Sequence, residues 1–284
     1  METVVKEKLW QTLIELLKEI DRVCKKHNIK YMLFCGSALG AVRHKGFIPW
    51  DDDLDVAMER SEYERFLKIA PEELKKDYFL QAEFTENWSM FFSKLRKNNT
   101  TCLEKYFPKY EHHQGVYIDI FPIDNASDNE FIRKIQFYCS KVVIAKSLYK
   151  RGYETDSKGK KLFMNLCRLL PLKLFHKIAV HKSAKNSKKV HSFVACTAKY
   201  KKGIYNREWI TETVPMDFED GKYPVSAHYD ELLKTLYGDY MRIPNESERK
   251  VKEHAILIDT ERNYTEYADY RNGMKFEVYT RNIH

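Results

Sequence analysis

Between Val4 and Cys24 the apolar residues Leu9, Trp10, Leu13, Ile14, Leu16, Leu17, Ile20 and Val23 recur at helical spacing, with charges on the other face. That pattern predicts an amphipathic helix ended by His27-Asn28. The apolar run Tyr31-Met32-Leu33-Phe34 reads as a short strand; Gly36-Ser37 follows, then a short helix over Ala38 to Arg43. Asp53-Leu54-Asp55-Val56 alternates, so as a strand it carries both carboxylates on one face and Leu54 and Val56 on the other. Ser61-Glu62-Tyr63-Glu64 has the form of a capping box, opening a helix that Pro71 stops. Extended stretches are expected over Tyr78–Ala82, Ser89–Arg96, Thr100–Leu103 and Gly115–Asp124. Asn129–Lys150 and Lys160–Lys182 are helical in pattern, the second broken or kinked at Pro171. An extended Gly221–Val225 and a helix from His228 to Leu236, stopped at Gly238, come last.

Composition adds a core and removes several classes. The chain has 284 residues, 43% hydrophobic and 14% aromatic, which excludes disorder as the main state. Its net charge of +8 is unevenly spread: from Arg133 to Lys202 there are nineteen Lys and Arg against two acids, Glu154 and Asp156. Such a block suggests an anionic partner (membrane surface, phosphorylated polymer or nucleic acid) or a set of solvated helix faces. The Lys-rich amphipathic helices either rest on an anionic membrane or pack on the core. Six scattered cysteines without a C-x-x-C pair read as reduced, mostly buried thiols of a cytoplasmic protein. No secretory leader or membrane-spanning run is expected.

The chemistry concentrates at Asp51, Asp52, Asp53 and Asp55, four carboxylates within five residues. Two ionised carboxylates about 4 Å apart repel by roughly 4 kcal/mol at an effective dielectric near 20. A divalent cation between them reverses that sign, and oxygen ligands suit Mg²⁺ or Mn²⁺ rather than zinc. A solvated acidic turn is the alternative. Upstream, a strand that stops at Gly36-Ser37 and turns into a helix offers backbone N–H groups to a phosphate. Arg43 reads as a phosphate contact or as a structural partner of Asp51. Lys94 and Arg96 share a strand face and either neutralise phosphates or line a solvated edge. Asp119 stands in an otherwise apolar run, where a lone charge is costly unless paired or metal-bound, and is a natural third acid for Asp53 and Asp55. Asp124 reads as a turn or cap residue. His112-His113 lacks a third ligand at zinc spacing, and His254 reads as a general base or a surface histidine.

Three strings together resemble one family. Gly36-Ser37-x-Leu39-Gly40-x-x-Arg43, Gly46-Phe47-Ile48-Pro49-Trp50-Asp51-Asp52-Asp53-Leu54-Asp55 and Tyr117-Ile118-Asp119-Ile120-Phe121-Pro122 resemble the LicD family. Lys222-Tyr223-Pro224 and Leu236-Tyr237-Gly238-Asp239-Tyr240 are similar to its C-terminal signature. The resemblance implies an α+β fold, a nucleotidyltransferase-like mixed sheet flanked by helices with a basic helical insertion. The expected division is a catalytic core with the N-terminal helix over 1–126, a basic helical subdomain over 127–205, and a segment over 206–284 that packs back on the core. It further implies Asp53, Asp55 and Asp119 as metal and catalytic residues with Mg²⁺ or Mn²⁺. Gly36 and Ser37 would hold donor phosphate, with Arg43, Lys94 and Asp51 beside them.

The implied reaction is attack by a sugar hydroxyl of a teichoic-acid or lipopolysaccharide type precursor on the choline-bearing phosphorus of CDP-choline, with release of CMP. Asp119 is a metal ligand or takes the hydroxyl proton. The acceptor would be lipid-linked, at the cytoplasmic face of the membrane, and no nucleic acid is expected. Choline calls for an aromatic face, for which Tyr31, Trp50, Trp88, Phe91 and Tyr117 are candidates. Rival readings are transfer of another CDP-linked phospho-alditol, a nucleotidyltransferase that releases pyrophosphate, and a binding module for anionic polymer or membrane.

Overall fold

Leu9, Leu13, Leu16, Leu17, Ile20 and Val23 are all buried along one side of α1 (Thr3–Lys26), so the helical spacing becomes the helix that covers the central sheet. Asn28, left-handed at φ 49°, turns the chain out of it. β1 (Met32–Leu33), α2 (Cys35–His44), β2 (Asp55–Glu59) and α3 (Arg60–Glu73) follow. Then come β3 (Tyr78–Gln81), β4 (Ser93–Lys97), β5 (Thr101–Glu104) and β6 (Tyr117–Ala126). The computed structural model describes residues 3–85, 90–104, 112–150, 153, 155–180, 186–194, 199–246, 248–249 and 255–267. Ser89, Trp88, Cys196 and His254 lie outside the described residues.

The sheet is mixed, in the order β1-β2-β6-β4-β3. β2 and β6 run parallel, and the other neighbours on this path are antiparallel. Val56, Met58, Ile118 and Ile120 join α1 in the main core. Ala57, Phe121 and Ile123 pack with Phe34, Phe92 and Tyr205 in a second one. The fold is α+β, as expected.

The basic block forms α4 (Glu130–Lys150), α5 (Lys158–Cys167) and α6 (Leu172–Val180), with Pro171 at the break between the last two. Cys139, Val143, Ala179 and Val180 join α4 to α6; Ala145, Met164 and Cys167 join α4 to α5. From Lys189 the block is no longer helical. β7 (Lys189–His191) pairs with the end of β6, from Asp124 to Ala126, and with β8 (Ile204–Asn206). After the short α7 (Glu208–Thr211), β9 (Thr213–Phe218) and β10 (Gly221–Ser226) form a hairpin. Phe218 stacks edge-on against Phe47 at 5.0 Å, and Glu219 accepts from the Phe47 N–H at 2.8 Å. α8 (Tyr229–Tyr237) packs on α2, and β11 (Ala255–Asp259) pairs with β5.

Two expectations are corrected near α3. The capping box does not form: Glu59 is the N-cap, Ser61 lies inside the first turn, and Pro71 is accommodated within the last turn. Asp124 is a buried strand residue rather than a turn or cap residue. It accepts from Arg60 Nε at 2.6 Å and from Arg60 Nη2 at 3.2 Å, while Arg60 Nη1 donates to Glu83 at 2.7 Å. Arg60 is the first residue of the helix, two residues ahead of the expected start, and its side chain reaches that buried acid. Cys24, Cys35, Cys102, Cys139 and Cys167 are buried and form no disulfide among the described residues.

Removing one member of a buried ion pair leaves its partner charged in a poor solvent, at about 3–5 kcal/mol. Arg60→Met is expected to lower the unfolding free energy by roughly that amount in urea titrations. A loss no larger than for a surface arginine would show that the pair is not structurally important.

Candidate active site

Helix α2 starts where β1 ends because Cys35 takes a left-handed conformation, φ 46°, and swings the chain round. Gly36 and Ser37 therefore lie in the helix's first turn rather than in a loop ahead of it. Ser37 is buried, and its Oγ accepts the Asp55 N–H at 2.8 Å. A carbon placed at Gly36 would sit 2.7 Å from Asp51 Oδ2. The missing side chain thus makes room for the Asp51 carboxylate at the helix N-terminus, the end that favours an anion. Where donor phosphate was expected, this structure places the protein's own carboxylate.

The ladder of β2 begins at Asp55, so Asp53 lies just ahead of the expected strand. Leu54 and Val56 are fully buried in the main core, as the alternation predicts. Across the sheet, Asp55 is in register with Asp119, and Asp119 with Lys94. Period 2 puts residues in register on one face, so β2, β6 and β4 present acid, acid and lysine as a row. The Asp119 N–H donates to Leu54 O at 3.1 Å, which holds β6 against the approach to β2.

Lys94 is almost fully buried. Its Nζ lies 2.9 Å from Asp119 Oδ1 and 3.1 Å from Glu104 Oε1, with the Tyr117 ring against it. Arg96, also buried, reaches Glu104 Oε2 at 3.1 Å and donates to Gln81 Oε1 at 2.7 Å and Gly115 O at 2.8 Å. The Lys94 ammonium, expected beside donor phosphate, lies between two carboxylates in this structure. Glu104 was not foreseen. Its only trace is that two cations on one face of a strand require an anion nearby.

Burial raises the Asp119 carboxyl, to about 6; Lys94 opposes the shift, and the charges of Glu104 and Asp53 add to it. Asp53 is therefore within electrostatic reach of Asp119. Burial also pushes Glu104 up, but Lys94 and Arg96 more than offset this and hold it at about 2. Asp119 Oδ1, despite the nearby ammonium, accepts no well-directed hydrogen bond.

Among the described residues, carboxylate oxygens of Asp51, Asp52 and Asp53 come within 4.8 Å of one another. Of the expected metal set only Asp53 belongs to that group; Asp55 and Asp119 stand beside it on the sheet. Arg43 is directed to the C-terminal segment. Its Nη1 donates to Tyr240 O at 2.6 Å and Arg242 O at 3.3 Å, which ties α2 to the C-terminal segment. Of the expected aromatic faces, Tyr31 donates its hydroxyl to Asp21 and Phe91 is buried. Tyr117 is covered by Lys94 and Arg96. Trp50, next to the acids, has the Arg249 guanidinium 4.4 Å from its ring centre.

Glu104 gives the site a pH signature. Its folded value lies below its unfolded one, so its contribution is complete above pH ~4.5 and fades as pH falls towards 2. By linkage that contribution is about 3 kcal/mol. Glu104→Gln should lose stability at neutral pH and show a shallower acid decline between pH ~4.5 and 2 in thermal melts. Parallel acid profiles of variant and wild type would remove Glu104 from the network.

Residues 28–163, which hold α2, the acidic loop, β2 and β6, match the LicD/FKTN/FKRP nucleotidyltransferase domain model. The chain is 26% identical over 254 residues to the lipopolysaccharide cholinephosphotransferase LicD of Haemophilus influenzae, covering 84% of this chain and 91% of that protein. An uncharacterised protein of Rickettsia prowazekii is 31% identical over 120 residues, 42% of each chain. One from Rickettsia typhi is 41% identical over 137 residues, 47% of this chain and 41% of that one. Its Gly-Ser helix start, its acidic loop and Asp119 all lie inside the matched region, so residues 28–163 form a LicD-family domain.

Proposed function

We propose that this protein is a LicD-type phosphotransferase that moves phosphocholine from CDP-choline to a sugar hydroxyl of a cell-surface glycan precursor. The observation that carries the reading is the placement of Asp55 and Asp119 in register on neighbouring strands, beside the Asp51–Asp53 loop and the start of α2. Similarity over most of its length to a lipopolysaccharide cholinephosphotransferase supports phosphocholine as the group transferred. A lipid-linked acceptor, taken up at the cytoplasmic face of the membrane, belongs to the same reading.

The residues fit a hard divalent cation on two observations. The donor set is all carboxylate, and Asp119 Oδ1 is a buried oxygen without a directed hydrogen bond. Asp53, Asp55 and Asp119 would hold Mg²⁺ or Mn²⁺, with Asp51 and Asp52 in reach. Such an ion supplies charge neutralisation for the donor diphosphate and the departing CMP.

The chain's own groups prepare the rest. Ser37 fixes the start of β2 and so the position of Asp55. Lys94 limits the motion of Asp119 and lowers the repulsion among the acids. The N-terminus of α2, which faces Asp51 here, offers its N–H groups to donor phosphate once that carboxylate turns to other work. Trp50 already takes a cation on its face, as a trimethylammonium group requires. The acceptor oxygen bonds to the choline-bearing phosphorus as the bond from that phosphorus to the bridging oxygen breaks; CMP leaves with that oxygen, and the hydroxyl proton passes to solvent.

Asp53→Ala and Asp55→Ala should each lower CMP release from CDP-choline, with Mg²⁺ and a glycan acceptor lacking phosphocholine, by roughly a thousandfold or more. Turnover retained in either variant would reject the assignment. CTP turned over with release of pyrophosphate would show a nucleotidyltransferase instead.

A further inference from the structure

Helix α5 turns its apolar side outward. Met164 and Cys167 are its buried residues, while Leu162, Phe163 and Leu166 are 60%, 44% and 57% exposed. Leu169, just past the helix end, is 76% exposed, and α6 adds Leu174 at 53%. Single exposed leucines are ordinary; a consecutive apolar face on one short helical arm marks a docking surface.

Along the sequence that carries these residues the charge is almost all of one sign. From Asp156 to Glu208 no acid intervenes, and fourteen Lys and Arg occupy the span. Lys158, Lys161, Lys173 and Lys177 are exposed among the leucines. A second copy docking through the same face would set lysine against lysine. A soluble polyanion would meet the lysines and leave the leucines in water. Only an anionic lipid surface answers both chemistries, with phosphates for the ammonium groups and an acyl boundary for the apolar side chains. Among the described residues no helix is long and apolar enough to cross a membrane, so such contact would be peripheral.

We infer that α5, α6 and the turn between them form a docking surface for an anionic bilayer, with Leu162, Leu166 and Leu169 entering the headgroup–acyl boundary. The inference does not depend on which reaction the acids perform, and its test needs no turnover.

The full chain is floated with vesicles of phosphatidylglycerol and phosphatidylcholine, and with phosphatidylcholine alone, at low and high salt. Binding to the anionic vesicles, weakened by salt, is expected. The triple variant Leu162→Asn, Leu166→Asn, Leu169→Asn should reduce partitioning roughly tenfold or more. Met241→Asn with Ile243→Asn, exposed apolar residues elsewhere, should leave it unchanged. If the triple variant fails to fold, Lys158→Gln, Lys161→Gln, Lys173→Gln tests the charged half of the same surface and should also reduce binding. Absence of binding to anionic vesicles overturns the inference. So does equal, salt-insensitive binding to neutral vesicles, or binding that the leucine or lysine variants leave unchanged. A lipid-free dimer that the leucine variant dissociates would overturn it in favour of a second copy.

Discussion

A buried lysine between two carboxylates sets the position of the acids. Lys94 sits in a region of low dielectric, where an ammonium ion is tolerated only beside compensating charge. Asp119 on β6 and Glu104 on β5 provide it, and Arg96 anchors the far side of Glu104. β4 and β6 are joined by a ladder, and β5, which pairs with β11 in a separate sheet, is tied to both through these side chains. Slipping β6 by one residue would turn Asp119 to the other face and leave Lys94 facing Ile118 or Ile120. The register that aligns Asp119 with Asp55 is thus guarded by electrostatics.

The same arrangement recurs at the other end of β6. Asp124 meets Arg60, which also meets Glu83. One strand therefore carries a buried carboxylate, Asp124, and a half-buried one, Asp119, each held by a cation from a neighbouring element. The two networks serve different ends. At Asp124 both oxygens are hydrogen-bonded by one guanidinium, a closed arrangement. At Asp119 a single ammonium lies against one oxygen, and burial with the charges of Glu104 and Asp53 still raises the carboxyl to about 6.

What the sequence made legible was local. The stripe of α1, the alternation around Leu54 and Val56, the break at Pro171 and the stop at Gly238 each depend on a few neighbouring residues. The acids at Asp53, Asp55 and Asp119 stood out because charge is rare beside apolar runs. Pairings across the fold were not legible. Glu104 lies one residue past the expected extended run Thr100–Leu103 and acquires its meaning from Lys94, ten residues earlier in sequence and on another strand. Arg60 displaced the capping box because Asp124 lay within its reach, and no local pattern could announce that. β7 and β8 were hidden in the Lys-rich block because three residues are too few to show a period. The closeness of Asp51 to the bare Cα of Gly36, fifteen residues away in sequence, was likewise not legible.

The helical arm leaves the sheet at the end of β6 and comes back to the same place, where Lys189 faces Ala126 and His191 faces Asp124. Both of its roots are therefore riveted to one strand instead of hanging from a linker. Five residues of extended chain, about 17 Å, separate that root from Asp119. A body that seizes the arm holds the acids at a set height and tilt, as a lathe holds its tool, and chemistry there can reach only those groups that stand at that height.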